Sequence, residues 1–322
     1  MNMLMKINTW ICVLVLFLAS CATVKEVPQG NVQEITCPPV PETVQSGAWA
    51  GAREIYPGIF HLALERTEPR LMKINLMKIN LKDGRYGFTG TPKPELWGQP
   101  MPDFPELNVV TKRERTVEFM EKARLPKEQG GRGLNMLVAV NAAPWRPWQM
   151  PWNHKYAAYL GLAITDGEVL QADDLKRPSF VVLKNGKVDF RSKEHPIAIE
   201  EIAMSAPGFT VVLSEGVVVP SAAKSTSLAP RTGYGLSKER DVFYIVVIDG
   251  RQKNYSHGAT IGDVAQLLLE HGAYDALNMD GGGSTTLVAW ENVDGVGKAR
   301  MLNHQGGGVQ RTVGYNVGIY LK

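Results

Sequence analysis

The segment Asn278-Met279-Asp280-Gly281-Gly282-Gly283-Ser284-Thr285-Thr286 constrains this chain most tightly. A largely apolar run, Ala273 to Met279, delivers one carboxylate onto three consecutive glycines and three hydroxyls. Each glycine raises the entropic cost of ordering the chain, so a triplet between two strands needs a reason. Glycine admits positive φ and lets backbone approach a ligand closely. Successive free N–H groups in such a turn form a concave anion site. A carboxylate at its mouth is placed to ionise a water, hold a metal or bind a sugar hydroxyl. The alternative is a purely structural turn, but functional residues concentrate on loops of this kind.

The rest of the chain reads as a globular body. Its 322 residues are 44% hydrophobic and 21% charged, enough for one large core or two small ones. Gly 32 and Pro 20 favour many turns and a β-heavy fold. A formal charge of +3 is too mild for a nucleic-acid partner, and no basic run with interleaved aromatics appears.

The N-terminus is not fold. Lys6 precedes an apolar segment, Ile7 to Ala19, too short to span a bilayer comfortably. It reads as a secretory h-region ending in Leu18-Ala19-Ser20-Cys21. That ending resembles a bacterial lipobox, in which Cys21 becomes the lipid-modified first residue. The alternative is an ordinary cleaved signal with an incidental cysteine. The expected organisation is a lipoprotein signal peptide over 1–20, a tether over 21–47 and one domain over 48–322. The expected place is the bacterial cell envelope, periplasmic or surface-exposed, with the membrane as partner through lipid on Cys21. Once Cys12 is removed and Cys21 lipidated, Cys37 has no internal disulfide partner. The core must therefore hold the fold.

Apolar runs flank Asp-Gly, Asn-Gly or Glu-Gly at Asp83-Gly84, Asp166-Gly167, Asn185-Gly186, Glu215-Gly216 and Asp249-Gly250. Such pairs are strong hairpin signals. Two helices are expected. Thr111 to Ala123 has Val117, Met120 and Ala123 at helical spacing, with Pro126 beyond. Thr260 to His271 has a capping threonine, Asp263 three residues on and Gly272 past its end. The predicted class is mixed α+β: twisted, mostly β sheets with hairpins, packed on a few helices. Strand, helix, strand, glycine loop and strand over 241–290 form an embedded α/β unit.

Asp249 and Asp280 each close an apolar strand. If those strands neighbour each other, both carboxylates emerge at one sheet edge, where open α/β folds place ligands. Two carboxylates are the minimal glycosidase apparatus. The alternative for Asp249 is the first residue of an Asp-Gly hairpin. Arg231 and Arg311 each precede a threonine, and arginine's planar fork suits phosphate. Arg231 is favoured because Gly233 and Gly235 let the chain approach a ligand. Asn141 ends the strand-like run Val138 to Asn141 and is suited to orient a ligand, or to end a strand in a turn. The six histidines do not cluster, so zinc and Ser-His-Asp chemistry are weakly supported. These residues name no cofactor, and calcium at Asp280 stays open.

The run Arg231-Thr232, Ile248-Asp249-Gly250-Arg251, Ser256-His257-Gly258-Ala259-Thr260 and Ala276 to Ser284 resembles the phosphodiester glycosidase family. The resemblance covers roughly 138–321. It implies a secreted α-glycosidase that cleaves the C1–O bond of a sugar-1-phosphodiester. It carries over to Asn141, Asp166, Arg231, Asp249, Asp280, Gly281, Gly282, Gly283, Ser284 and Thr285. The chain departs from the family's usual pattern at Ala142-Ala143-Pro144-Trp145 and Gly233-Tyr234, which leaves the sugar open. On this reading Arg231 and the Gly281 to Ser284 turn hold phosphate. Arg311 is a further phosphate candidate, and Asp280 and Asp249 share the charge and base roles. The rival reading is a non-catalytic glycan-binding envelope lipoprotein that stacks sugars on Trp145, Trp148 and Trp152.

Overall fold

The structure is a computed structural model that describes residues 47–150, 152–172 and 176–322. The expected signal peptide, Cys12, Cys21, Cys37 and the tether up to residue 46 lie outside the described residues.

Three antiparallel sheets dominate. The first has eight strands, in the order Arg53–Tyr56, Ile59–Arg66, Met72–Asn80, Val242–Ile248, Arg231–Leu236, Asp275–Asn278, Thr210–Ser214 and Val217–Val218. The second orders Val296–Met301, Leu287–Val293, Asn135–Asn141, Asn316–Leu321 and Tyr86–Gly90. The third orders Glu168–Gln171, Ala163–Thr165, Ile202–Pro207, Ser179–Leu183 and Val188–Arg191. Alternating strands have two faces, and each apolar face needs a cover. The inner faces cover one another: Val247 and Leu277, Val138 and Ile319, and Phe180 and Met204 belong to one buried cluster. At its centre Phe180 stacks on Phe243 with ring centroids 4.7 Å apart. The helix Ile261–Glu270 covers the outer face of the first sheet, Val264 and Leu268 packing with Val246 and Ala276. The helix Thr116–Arg124 covers the second through Phe119 and Met120 against Met136 and Val288. The fold is therefore predominantly β with few helices, consistent with the α+β class.

Both helices form, one with a shifted start. Thr260 and Asp263 exchange the expected capping-box bonds, and Gly272 ends that helix at φ +105°. The first helix begins at Thr116 rather than Thr111, because Thr111–Lys112 pairs as a strand with residues 156–157.

Three of the expected hairpins form, at Asp166-Gly167, Asn185-Gly186 and Glu215-Gly216. The other two pairs are exits. After Asp83-Gly84 the chain leaves the first sheet and pairs Tyr86–Gly90 with Asn316–Leu321 in the second. After Asp249-Gly250 it loops toward the helix Ile261–Glu270. A two-residue turn signal is local, whereas the partner of the next strand is decided by tertiary packing.

The α/β unit positions the site. Val242–Ile248 and Asp275–Asn278 both pair antiparallel with Arg231–Leu236, which lies between them. They therefore run parallel and end at the same sheet edge. The chain then coils through a 3-10 turn at Gly282–Ser284 and enters the second sheet as Leu287–Val293, beside Asn135–Asn141. The glycine segment is the crossing from one sheet to the other.

Candidate active site

Asn141 and Asp280 meet where the two sheets converge. The Asp280 N–H donates to Ala142 O at 2.8 Å, and its carbonyl accepts from Asn141 Nδ2 at 2.6 Å. Asn141 Oδ1 accepts from Thr232 Oγ1 at 2.8 Å and from the Thr286 N–H at 3.0 Å. Tyr234 OH donates to Asn141 O at 3.0 Å. Asn141 is fully buried. The expectation that it orients a ligand gives way to a different role. Both lone pairs of Oδ1 are engaged within the protein, so Asn141 fixes the backbone that carries Asp280.

Asp280 is only 8% exposed. Oδ1 accepts from the Gly281 N–H at 3.0 Å, while buried Oδ2 has no hydrogen-bond partner. Burial pushes the carboxyl up to about 6. The nearby Ser284 hydroxyl, the Arg311 guanidinium and the Gly281 N–H oppose that rise, without completing a bond to Oδ2. Thr285 Oγ1, Asn278 Oδ1 and Arg311 Nε are also buried without partners. Buried polar atoms are normally paired, so the open Oδ2 makes this carboxylate the candidate reactive group.

The glycine turn is not the free anion nest expected from its sequence. Gly281 N–H bonds Asp280 Oδ1, Gly282 N–H bonds Pro230 O, Ser284 N–H bonds Gly281 O and Thr285 N–H bonds Gly282 O. The last two bonds close the 3-10 turn, and the first two tie the glycines to the Asp280 carboxylate and to Pro230. The glycines serve close approach instead. A Cβ on Gly281 would lie 2.8 Å from Pro230 O. One on Gly282, which sits at φ +62°, would lie 3.2 Å from Arg251 Nη1. One on Gly283 would lie 3.2 Å from the Arg311 guanidinium carbon. The triplet makes room for two cations against one turn. Arg311 Nη2 donates to Ser284 Oγ at 2.7 Å, and its guanidinium lies 5.8 Å from the Trp145 ring and 5.3 Å from the Trp152 ring. The Arg251 guanidinium, on a residue at φ +60°, makes no hydrogen bond or ion pair among the described residues.

Asp249 ends its strand almost fully buried. Oδ1 accepts from Asn303 Nδ2 at 2.9 Å and the His304 N–H at 3.1 Å; Oδ2 is 2.9 Å from the same N–H. Burial raises this carboxyl too, and the bonds from Asn303 and His304 oppose it. Asp249 lines a cavity of about 310 Å³ with Arg251, Gly282, Gly283, Thr285 and His304. Asp280 stands outside that lining. The two carboxylate-bearing strands are not neighbours: Arg231–Leu236 intervenes, so the strands lie about 10 Å apart, two strand spacings. One sheet edge still carries both acids, with the glycine turn common to their surroundings.

Two expected site residues are engaged by other partners: Arg231 stands beside the turn, its Cα 3.7 Å from where a Gly281 Cβ would lie, and Asp166 lies away from it. Arg231 donates from Nε to Ala259 O at 3.0 Å and from Nη2 to Ser227 O at 2.8 Å, which ties loops together. Gly233 and Gly235, the reason for favouring it, face the covering helix: a Cβ on Gly233 would lie 2.4 Å from Val264 Cγ1. Asp166 sits at the tip of a hairpin in the third sheet, at φ +54°, in a bidentate pair with Arg132 at 2.6 and 2.7 Å. It contributes to neither carboxylate's surroundings. Among the described residues no three His, Cys, Asp or Glu side chains come together as metal ligands.

Several functional residues escaped the sequence reading. Asn303 holds Asp249 and also donates to Thr285 O at 3.1 Å. Gln305 Nε2 donates to Gly283 O and Thr285 O at 3.1 and 2.9 Å. A second glycine triplet, Gly306 to Gly308, directly follows these residues and was the available signal. Arg251 closes the quoted Ile248-Asp249-Gly250-Arg251 run, but only its fold places it against Gly282.

Two outcomes follow from this geometry. Asn141→Ala strands the Thr286 N–H, the Asp280 carbonyl and the Thr232 hydroxyl, at about 1–3 kcal/mol per unsatisfied buried group. Urea unfolding should show a loss of about 3 kcal/mol or more; a loss under about 0.5 kcal/mol, the range of an ordinary surface change, would remove Asn141 from its bridging role. The second concerns Asp280, whose carboxyl is raised on folding. Its stabilising contribution is complete below the unfolded value near 4 and is lost as pH rises through about 6. Asp280→Asn should therefore match the parent near pH 4 and exceed it by roughly 2–3 kcal/mol above pH 7. A parent that outlasts the variant at pH 8 would contradict the unpaired, buried carboxylate.

The comparisons with known proteins agree with this architecture. The family model described as phosphodiester glycosidase matches residues 138–320. Among solved structures, the chain is similar to a zebrafish N-acetylglucosamine-1-phosphodiester alpha-N-acetylglucosaminidase catalytic domain auto-inhibited by its pro-peptide. The match has 17% identity and a TM-score of 0.54, covering 82% of each chain. It is also similar to a hypothetical protein from Synechocystis, at 13% identity and a TM-score of 0.52, covering 84% of this chain and 63% of that one. A third match, to an exported protein of Burkholderia pseudomallei, has 13% identity and a TM-score of 0.52 and covers 78% and 74%. A search of curated proteins finds no match. At these identities the structures speak to the fold, and the family model, spanning more than half of the chain, speaks to kinship: the chain belongs to the phosphodiester glycosidase family.

Proposed function

We propose that this protein hydrolyses the C1–O bond of a sugar-1-phosphodiester, releasing the free sugar and a phosphate monoester. The carrying observation is the unpartnered Asp280 Oδ2, buried beside a glycine turn on which two guanidiniums converge. Arg251 and Arg311 bind the phosphate as charged donors. Asp280 takes a proton from the attacking water, and water oxygen bonds to C1. The C1–O bond breaks, and its electrons leave on the phosphate oxygen. A phosphate monoester is a good leaving group, so no strong general acid is required. A carboxyl near 6 is well matched to base catalysis at neutral pH. Asp249, whose oxygens already accept from Asn303 and His304, fixes the 303–305 segment against the turn and adds negative charge near the developing oxocarbenium ion.

The zebrafish relative's name supplies the first sugar to try, N-acetylglucosamine. The purified protein should release free sugar from an α-N-acetylglucosamine-1-phosphodiester, and in ¹⁸O water the label should enter the sugar. Asp280→Asn should lose about a hundredfold or more, the upper range of general-base contributions, and kcat/KM of the parent should fall as pH drops through about 6. Label in the phosphate would assign P–O cleavage. Saturable binding of such diesters across several sugars, with no product, would replace the enzyme with a glycan-binding protein.

A further inference from the structure

Arg113 is a buried cation that makes no ion pair among the described residues, though it feels the charge of Asp280, and it lies outside the cavity-lining and phosphate-binding sets above. It is 4% exposed. Nη1 donates to Trp152 O at 3.0 Å and His154 O at 2.7 Å, and Nη2 donates to Thr312 O at 3.0 Å. The next residue, Glu114, pairs with Val313 in a two-way backbone bridge. The Arg113 guanidinium carbon lies 4.2 Å from the Trp145 ring centroid. The Arg311 guanidinium lies 5.8 Å from that same ring and 5.3 Å from Trp152. Arg113 thus grips, at once, the carbonyl of the Trp152 that flanks Arg311, the carbonyl of the residue after Arg311, and the ring shared with Arg311.

We propose that Arg113 is a positioning residue for the anion-binding guanidinium of Arg311, acting through Trp145, Trp152 and the Thr312 carbonyl without touching substrate. A neutral side chain of similar size would pack the same space. It would leave three carbonyls, one buried and two partly buried, without this donor, and each would be free to draw the 152–154 and 311–313 segments apart. Arginine's planar fork serves three acceptors from one rigid group, which lysine's point charge does not. Arg311 gains most from this rigidity. Its own anchors are a single bond to Ser284 and two ring contacts, and its Nε is unpaired. A guanidinium held in advance binds an oxyanion without the ordering cost a loose one would incur.

The inference rests on Arg311 binding the substrate phosphate, so inorganic phosphate is the probe. Its affinity is measured by calorimetry for the parent, Arg113→Met, Arg311→Met and the double variant, each first shown to be folded by thermal unfolding. Arg113→Met should weaken phosphate by about tenfold or more, as small misplacements of a binding group do. In the Arg311→Met background the same change should alter affinity less than about twofold, because the pair acts as one unit. With sugar-1-phosphodiester, Arg113→Met should raise KM more than it lowers kcat. If Arg113→Met does not fold, Arg113→Lys carries the same cycle, with a smaller but still background-dependent loss. An unchanged phosphate affinity in folded Arg113→Met, or equal losses in both backgrounds, would overturn the positioning role alone. A parent that binds no phosphate would overturn the phosphate reading of Arg311 and this inference with it.

Discussion

One buried amide joins the two large sheets of this molecule at the candidate site. Asn141 ends a strand of the second sheet, and its side chain holds Thr232 of the first sheet, the Asp280 carbonyl and the Thr286 N–H. These three partners lie before, at and after the glycine turn in space. Without that link the crossing from Asn278 to Leu287 would be a loose connector carrying three glycines. With it the turn is fixed from both sheets, and Asp280 is held in place although half of its carboxylate has no partner. Such a group costs stability, and fixed surroundings are what keep it from rearranging or admitting a compensating partner.

The glycine triplet then acquires a different meaning from the one its composition invites. Its first two N–H groups are taken by Asp280 Oδ1 and Pro230 O, and its missing side chains admit Arg251 and Arg311. At this turn side-chain cations are therefore packed on bare backbone. Around it, Arg113 and Arg311 both feel the charge of Asp280, and Arg251 lies close enough to Arg311 to feel its charge. The two acids differ through their environments. Asp249 is satisfied by Asn303 and His304, whereas Asp280 keeps one oxygen free.

The sequence made the chemistry-bearing turn legible because glycine triplets and a strand-terminal carboxylate are local signals. Ser284 of that turn meets Arg311, the arginine the sequence favoured less, and the capped helix after Thr260 forms as read. What failed depended on partners distant in the chain. Asp166 looked like a site residue and is paired with Arg132 on a hairpin tip. Arg231 looked free and is engaged by two carbonyls. Gly233 and Gly235 looked like room for a ligand and are room for a helix. Asp83-Gly84 and Asp249-Gly250 looked like hairpins because a turn signal does not say which sheet receives the next strand. Arg113 gave no signal at all, since a lone arginine is by default a surface charge.

The account turns on where the substrate's phosphate lies relative to Asp280. The measurement that tests this most directly is a crystal structure of the Asp280→Asn protein with an intact α-N-acetylglucosamine-1-phosphodiester. The account predicts phosphate oxygens within hydrogen-bonding distance of both Arg251 and Arg311, across Gly282 and Gly283, with C1 of the sugar facing residue 280. A phosphate held away from both arginines, or a sugar whose C1 faces away from residue 280, would contradict it.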